Sequence, residues 1–311
     1  MSFRKKKEKG YLKRSKSGLE KKETRAFYVI MTPFLLMFLI YRLFPMAWGV
    51  YISFTNFSGF NSGTMKMVGF DNYVRVFTDN EALASLWRTF LIGVVVIPLS
   101  IIMCNTLAIL LAFLKKGVGI YRTLFYIPSI LPVVAVGTMW RGIFLRDGGV
   151  LNELIKLFHG EPVNWMGYDY AGYALMIMLL WGAGSGLLNN IAAIKNISQE
   201  LFEAARLDGA NVWQQITRII LPLSSPMNYM ALVTGVITSL QLYGQPMTLS
   251  GIGMATVPIK PLYTYLIHAY QQIFVNLRFG YGMALTVFVV VIMVVLTFVN
   301  EKLSQKWVHI D

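Results

Sequence analysis

From position 89 onward, five stretches of 18 or more residues contain no charged residue: Thr89–Leu114, Thr123–Trp140, Tyr170–Ile194, Ile219–Ile259 and Phe279–Asn300. About 20 apolar residues in a helix cross the hydrocarbon of a bilayer. Inside lipid every backbone N–H and C=O must be paired within the protein, which favours helices for such runs. Composition agrees, with 56% hydrophobic and 14% charged residues, against roughly 25% charged in soluble domains. An ordinary soluble enzyme and a disordered chain are both excluded. The sequence therefore predicts an all-α, polytopic membrane protein with six transmembrane helices, at about 27–53, 89–114, 121–141, 170–194, 222–244 and 278–300. The first of these contains Arg42, and Pro222, Pro226, Pro246 and Pro258 limit how much of 219–259 is one helix.

The charge is uneven. Residues 1–25 hold 11 Lys or Arg against Glu8, Glu20 and Glu23, which is +8 of the chain's net +13. This basic tail, 1–25, precedes a transmembrane domain spanning 26–311. It has one aromatic pair, Phe3 and Tyr11, and no fold behind it. A solvated anchor near anionic lipid therefore fits better than nucleic-acid binding. Placing the N-terminus inside puts 19 of the 28 Lys and Arg on the cytoplasmic side, so both termini are predicted to be cytoplasmic. The apolar run after the tail is longer than a signal-peptide core and lacks a small-residue cleavage site, so it is expected to stay in the membrane.

The cytoplasmic loop at 195–221 differs from the other loops. Ser198 is placed to cap a helix over 199–207, Gly209 suits a left-handed stop, and Asn211 with Gln214 forms a box-like start to a second helix. Leu221-Pro222 then opens the next span. Two short helices at an angle form an elbow joined to spans on both sides. Ala204 and Ala205 give it a face small enough for close approach, Glu203 and Arg206 are placed to pair, and Phe202 and Leu207 are apolar anchors. Without a partner it reads as a surface helix–turn–helix.

Glu203-Ala204-Ala205, three residues, Gly209, nine residues and Ile219-x-Leu221-Pro222 together resemble the EAA loop of binding-protein-dependent ABC importer permeases, and Asp208-Gly209-Ala210 adds to the match. Pro45, Ser53-Phe54-Thr55-Asn56-Phe57, Gly69-Phe70-Asp71-Asn72-Tyr73 and Phe279-Gly280-Tyr281-Gly282-Met283-Ala284 extend the resemblance to the MalF/UgpA-type members of the carbohydrate-uptake branch. The resemblance implies a MalF-like ABC importer permease fold in a bacterial inner (cytoplasmic) membrane. It also implies a second homologous permease subunit, two cytoplasmic ABC ATPase subunits and an extracellular or periplasmic sugar-binding protein. Phe202, Glu203, Ala204, Ala205, Leu207, Asp208 and Gly209 are then the ATPase-coupling residues. The external loop at 54–88 is short where MalF carries an inserted domain, so binding-protein docking would use other loops.

The chain lacks a G-x-x-x-x-G-K-[ST] loop, so ATP and Mg are expected on the partner ATPases and no cofactor on this chain. His159, His268 and His309 are scattered and Cys104 is the only cysteine, which gives no metal or catalytic constellation and no internal disulfide. Gly182-x-Gly184-x-Gly186 has the wrong spacing for a dinucleotide loop and suits close helix packing or local unwinding.

The spans flanking the elbow carry uncharged polar and aromatic groups: Trp181, Ser185, Asn189 and Asn190 before it, Ser239, Gln241, Tyr243 and Gln245 after it. Amides and hydroxyls match sugar hydroxyls, and an aromatic face covers the apolar side of a sugar ring. MalF-like permeases bind sugar on these two helices, so the resemblance makes the eight residues a substrate path. Interhelical hydrogen bonding, with Trp181 and Tyr243 as ordinary interface aromatics, is the competing reading of the same residues. The function read here is import of a sugar or oligosaccharide with ATP hydrolysed by partners. Glycerol-phosphate is the nearest alternative solute. An ion-coupled secondary carrier and a non-transporting membrane scaffold are the alternatives of other classes, the carrier weakened by the absence of an acid among the polar candidates.

Overall fold

The computed structural model describes residues 18–59, 63, 65–114, 116–253 and 256–305. The basic tail up to residue 17, and His309, lie outside the described residues. The chain divides into two compact units, up to Ile52 and from Ser53 onward.

In the first unit, α1 (Gly18–Phe38) passes through a π turn at Leu39–Leu43 into α2 (Phe44–Ser53). Phe44, Trp48 and Tyr51 stack at centroid distances of 6.5 and 5.3 Å along one helical stripe.

The second unit contains α3 (Asp71–Thr78), α4 (Asn80–Phe113), α5 (Val118–Ile130), α6 (Val133–Ile143), α7 (Val150–Leu157) and α8 (Ala171–Trp181). After a 3₁₀ stretch at Gly182–Gly186 come α9 (Leu187–Lys195), α10 (Gln199–Leu207) and α11 (Val212–Gln215). A π turn at Ile216–Ile220 and α12 (Leu221–Leu223) lead to α13 (Ser225–Leu240), α14 (Gly244–Ser250), α15 (Tyr265–Tyr270) and α16 (Phe279–Ser304). Among the described residues there is no strand, only an isolated antiparallel bridge between Thr55 and Met67.

Four helices are long and apolar enough to cross a membrane: Lys22–Ser53, Asn80–Phe113, Ala171–Lys195 and Phe279–Ser304. Two bent pairs bring the number to six if each is one span. The bends depart from the sequence expectation and have local causes. A residue before proline avoids the helical region, and Leu131, ahead of Pro132, is extended (ψ 141°), so α5 and α6 meet at 101° and the segment expected as one straight span over 121–141 is bent. Pro226 has no N–H to offer and its ring crowds the carbonyl four residues back, so α12 and α13 bend by 61° at Ser224. The predicted span at 222–244 also ends early, because α13 stops at Leu240.

Three buried clusters fasten the helices. Val76, Ala82, Tyr265, Tyr281, Leu285 and Val289 join α3, α4, α15 and α16. Ile92, Phe144, Leu175, Leu249 and Leu262 join α4, α8 and α14. Cys104, Ala108, Leu187, Ile191 and Ile220 join the far end of α4 to α9 and to the chain leaving the elbow. Each large apolar side chain in these clusters contributes dispersion contacts, the main cohesive force between helices where the surroundings are equally apolar.

Two polar hubs tie down the loops. Asn72 Nδ2 donates to the carbonyls of Ser53 and Thr55, both at 2.8 Å, and Gly280 N–H donates to Phe57 C=O at 3.0 Å. The three motif segments around residues 53, 72 and 280 thus meet in one place. In the 144–165 loop, fully buried Asn152 donates to the carbonyls of Leu145, Arg146 and Val163 and accepts from Val163 N–H and Trp165 Nε1.

Candidate functional site

The elbow forms from its own sequence. Ser198 Oγ accepts from Glu200 N–H and starts α10. At the other end Ala210 N–H reaches Ala205 C=O at 2.8 Å and Gly209 N–H reaches Arg206 C=O at 3.1 Å. This wrap requires a left-handed residue, and Gly209 has φ +79°. Asn211 and Gln214 then make a reciprocal capping box, with both bonds at 2.8 Å.

The predicted coupling residues separate into two groups. Phe202 is half-buried, edge-on to Phe113, and packs on the cluster of Cys104, Leu187 and Ile191. Ile216, beyond the turn, packs on the same cluster. Phe202 therefore anchors the elbow to its own helices. Glu203, Ala204, Asp208 and Gly209 are exposed and Ala205 is half-buried, while Leu207 is 89% exposed. Glu203 accepts from Gln199 Nε2 at 3.0 Å, and among the described residues no ion pair joins it to Arg206. Val212 and Trp213 are also exposed on the second arm. Both went unremarked in the sequence because they fall outside the motif, although two large apolar residues at a capped helix start are a readable signal.

A cavity of about 540 Å³ lies between α4, the Gly182–Asn190 stretch and α13. Ser185, Asn189, Asn190, Ser239 and Gln245 line it, as five of the eight predicted path residues. Ser100, Thr234 and Thr238 add hydroxyls that the sequence reading did not single out, and Cys104 adds a thiol. The α4 contribution was hidden because Thr89–Leu114 reads as uniformly apolar. Its lining face combines Gly93, Ser100 and Cys104 with the aliphatic side chains of Ile92, Val96, Ile97 and Ile101. No charged side chain lines the cavity among the described residues.

The other three predicted residues lie elsewhere. Trp181 packs edge-on against Trp140 at 5.9 Å. Gln241 is exposed, with Nε2 3.9 Å from Met293 Sδ. Tyr243 packs on Tyr270 at 5.2 Å. Gln241 and Tyr243 are expected on a continuous span, whereas they follow the end of α13 at Leu240 in the turn to α14.

The Gly182–Gly186 stretch gives the cavity wall its shape. A Cβ on Gly184 would lie 1.9 Å from Phe125 C=O, so only glycine lets this backbone approach α5. The tighter 3₁₀ winding here interrupts what would otherwise be one helix from Ala171 to Lys195.

At the start of α4 sits a polar cluster removed from the cavity. Asp79 Oδ1 caps α4 through the N–H groups of Glu81 and Ala82, at 3.0 and 3.1 Å. Asp79 Oδ2 accepts from Tyr281 OH at 2.7 Å and lies 3.4 Å from buried His268 Nε2, while Tyr263 OH lies 3.0 Å from His268 Nδ1. Glu81 pairs with Arg88 and, at 3.6 Å, with Lys260. Burial holds the His268 imidazole below its ordinary value, outweighing the attraction of Asp79. Burial pushes Asp79 upward, but the Tyr281 hydroxyl, the Ala82 and Glu81 N–H groups and the charge on His268 bring it below the ordinary carboxylate value.

Both depressions have the same sign for stability. The His268 contribution is complete above about pH 6.5 and is lost as pH falls through the folded-state value; that of Asp79 is lost at lower pH still. Melting temperature should therefore drop on acidification from pH 7.5 to 5.5, and His268→Gln should flatten that part of the profile. A wild-type profile that rises toward pH 5.5 would contradict this.

Comparison with known proteins follows the same outline. The profile of the family described as "Binding-protein-dependent transport system inner membrane component" matches residues 104–309. The probable ABC transporter permease protein YesP of Bacillus subtilis is 33% identical over 302 residues, covering 95% of this chain and 96% of the relative. The arabinooligosaccharides transport system permease protein AraP of the same organism is 27% identical, covering 90% and 88%. The trehalose/maltose transport system permease protein MalF of Thermococcus litoralis is 27% identical, covering 93% and 97%. A chain in the crystal structure of a bacterial alginate ABC transporter in complex with an alginate pentasaccharide-bound periplasmic protein superposes with a TM-score of 0.81. It is 20% identical, with 94% of this chain and 98% of that one covered.

Proposed function

The chain belongs to the family of binding-protein-dependent transport system inner membrane components, and from that premise we propose that it is the subunit through which a sugar or oligosaccharide crosses the membrane. It is a multi-pass inner-membrane permease and not an enzyme. Relatives named for arabinooligosaccharides, lactose and trehalose/maltose support the solute class. The proposed partners are a second homologous permease, two cytoplasmic ATPases that bind ATP and Mg, and a sugar-binding protein outside. Both termini and the elbow are assigned to the cytoplasm, following the basic N-terminal tail.

One observation carries this reading: the elbow is continuous with two walls of the polar cavity. Its first arm follows α9, which begins within the cavity lining, and its second arm leads through α12 into α13. Phe202 and Ile216 fix both arms to a cluster that includes Cys104, itself a lining residue. A push on exposed Leu207, Val212 and Trp213 would therefore reach the walls through packed side chains, which rearrange between discrete packings more readily than they deform continuously. Loaded binding protein and ATP must each favour the outward-open state for import to be coupled.

The test is reconstitution of the assembled transporter in proteoliposomes, with ATP hydrolysis and saccharide uptake followed as saccharide-loaded binding protein is added. Stimulated hydrolysis with uptake is the expected result. Uptake by the purified chain alone in ATP-depleted vesicles would replace the proposal with a secondary carrier.

A further inference from the structure

Between α4, α13 and α16 runs a second opening, an apolar groove of about 230 Å³. Phe90, Val94 and Pro98 line it from α4 at intervals of four residues, and Leu232, Val236 and Leu240 line it from α13 at the same interval. The groove therefore follows the helices for about two turns, roughly 12 Å. Leu240 is buried at its floor, while Phe90 and Val94 are 40% and 50% exposed at its lip, so it opens to the outside of the bundle. Its one polar lining side chain, Ser239, donates to Val236 C=O at 3.0 Å and needs no further partner.

The seam beneath the groove is tight. A Cβ on Gly93 would lie 2.8 Å from Ser239 Oγ, and one on Gly235 would lie 3.1 Å from Ile97 Cγ2. With α4 and α13 touching there, a third helix, about 10 Å across, cannot enter between them. A slender methylene chain can lie along the seam. Water is a poor occupant, since apolar cavities of about 150 Å³ stay dry and take up benzene instead. Left empty, the groove forfeits the dispersion contacts of its walls.

We infer that this groove binds one acyl chain of a membrane phospholipid, lying along the α4–α13 seam with Leu296 of α16 on its third side. Lipid tails are as apolar as leucine, so no transfer from water favours the chain here; the fit of its methylenes to the groove does. Gly93, Ile97 and Ser239 line both the groove and the polar cavity, so the chain backs a wall of that cavity. The inference concerns lipid and stands whatever solute the cavity carries.

The assembled transporter, reconstituted in vesicles of phosphatidylethanolamine and phosphatidylglycerol, receives a phospholipid with a diazirine at mid-chain. One portion is illuminated in the vesicles and a second after solubilisation and extensive washing with detergent. Adducts are located by mass spectrometry. Val291 and Phe298, exposed on α16, report bulk lipid. In vesicles both groups of positions should be labelled. After washing, labelling at Phe90, Val94, Leu232 and Leu296 should persist while that at Val291 and Phe298 falls by about tenfold or more. Leu232→Trp places an indole in the groove and should lower the retained labelling by about tenfold, the effect of losing the contacts along one turn. Val94→Trp should do the same from the opposite wall.

The wild type alone decides the matter. Equal loss of label from the groove and from Val291 and Phe298 would mean bulk lipid only, and would overturn the inference. Labelling of Val291 and Phe298 in vesicles with none in the groove would overturn it too, by showing that another subunit covers the seam. Retained labelling that neither tryptophan variant lowers would place the chain elsewhere.

Discussion

Gly209→Val should leave the permease inserted and bound to its ATPases but lower saccharide-stimulated ATP hydrolysis by tenfold or more. Gly209 adopts φ +79° and is the pivot at which α10 ends and the chain turns toward Asn211. A side chain here meets no atom within 4 Å, so the penalty is conformational and not steric. A left-handed backbone costs an L-residue roughly 1–2 kcal/mol, and a β-branched one is the least tolerant. The variant should relieve that strain by re-aiming the second arm, which separates exposed Leu207 from Val212 and Trp213. Coupling between distant sites is typically worth about 1–3 kcal/mol, so a disturbance of this size is enough to erase it. Gly209→Asn is the informative companion, because asparagine tolerates the left-handed region and should retain most of the stimulation. Normal stimulation in Gly209→Val would remove the elbow from the coupling path. Loss of ATPase co-purification would assign Gly209 to docking instead of transmission.

Asn152→Ala should lower the stability of the solubilised protein by about 3 kcal/mol or more, among the larger effects of a single polar substitution. The side chain is fully buried and serves five backbone or indole groups, which would lose their partner together. Each buried polar group left unsatisfied costs about 1–3 kcal/mol, with part recovered if water enters. Asn152→Asp separates the hydrogen-bond account from simple volume loss. The carboxylate is nearly isosteric but would direct acceptors at the carbonyls of Leu145, Arg146 and Val163, so it should destabilise at least as much as alanine. Thermal melting in detergent, with protease sensitivity of the 144–165 loop, reads both. Wild-type melting of Asn152→Asp would show that the Nδ2 bonds are not what holds the loop.

The membrane helices were legible because their cause is local: runs such as Phe279–Asn300 lack charge, and the lipid requirement turns this directly into a helix. The elbow was legible for a similar reason, since Ser198, Gly209, Asn211 and Gln214 each act on backbone groups within a few residues. What was hidden depends on distant partners. The sequence does not tell which way Phe202 packs, because both faces of α10 carry apolar residues and only the position of Phe113 distinguishes them. Gln241 and Tyr243 lie past the end of α13 at Leu240, a helix end that the charge-free run through Ile259 does not announce. Asn152 and His268 gave no periodic signal, because a buried polar hub is defined by what surrounds it. The 101° bend at Leu131 was the missed feature most open to reading, since Pro132 announces it.

The uncharged lining of the cavity has an energetic meaning for the cell. A unit charge carried across a potential of 100 mV gains or loses about 2.3 kcal/mol. A neutral solute moving past walls made of hydroxyls, amides and aliphatic groups carries no charge through that field. If this cavity is the path of a neutral saccharide, as proposed above, membrane voltage would neither drive nor oppose the passage, and ATP alone would set the concentration ratio in an energised cell and a depolarised one alike.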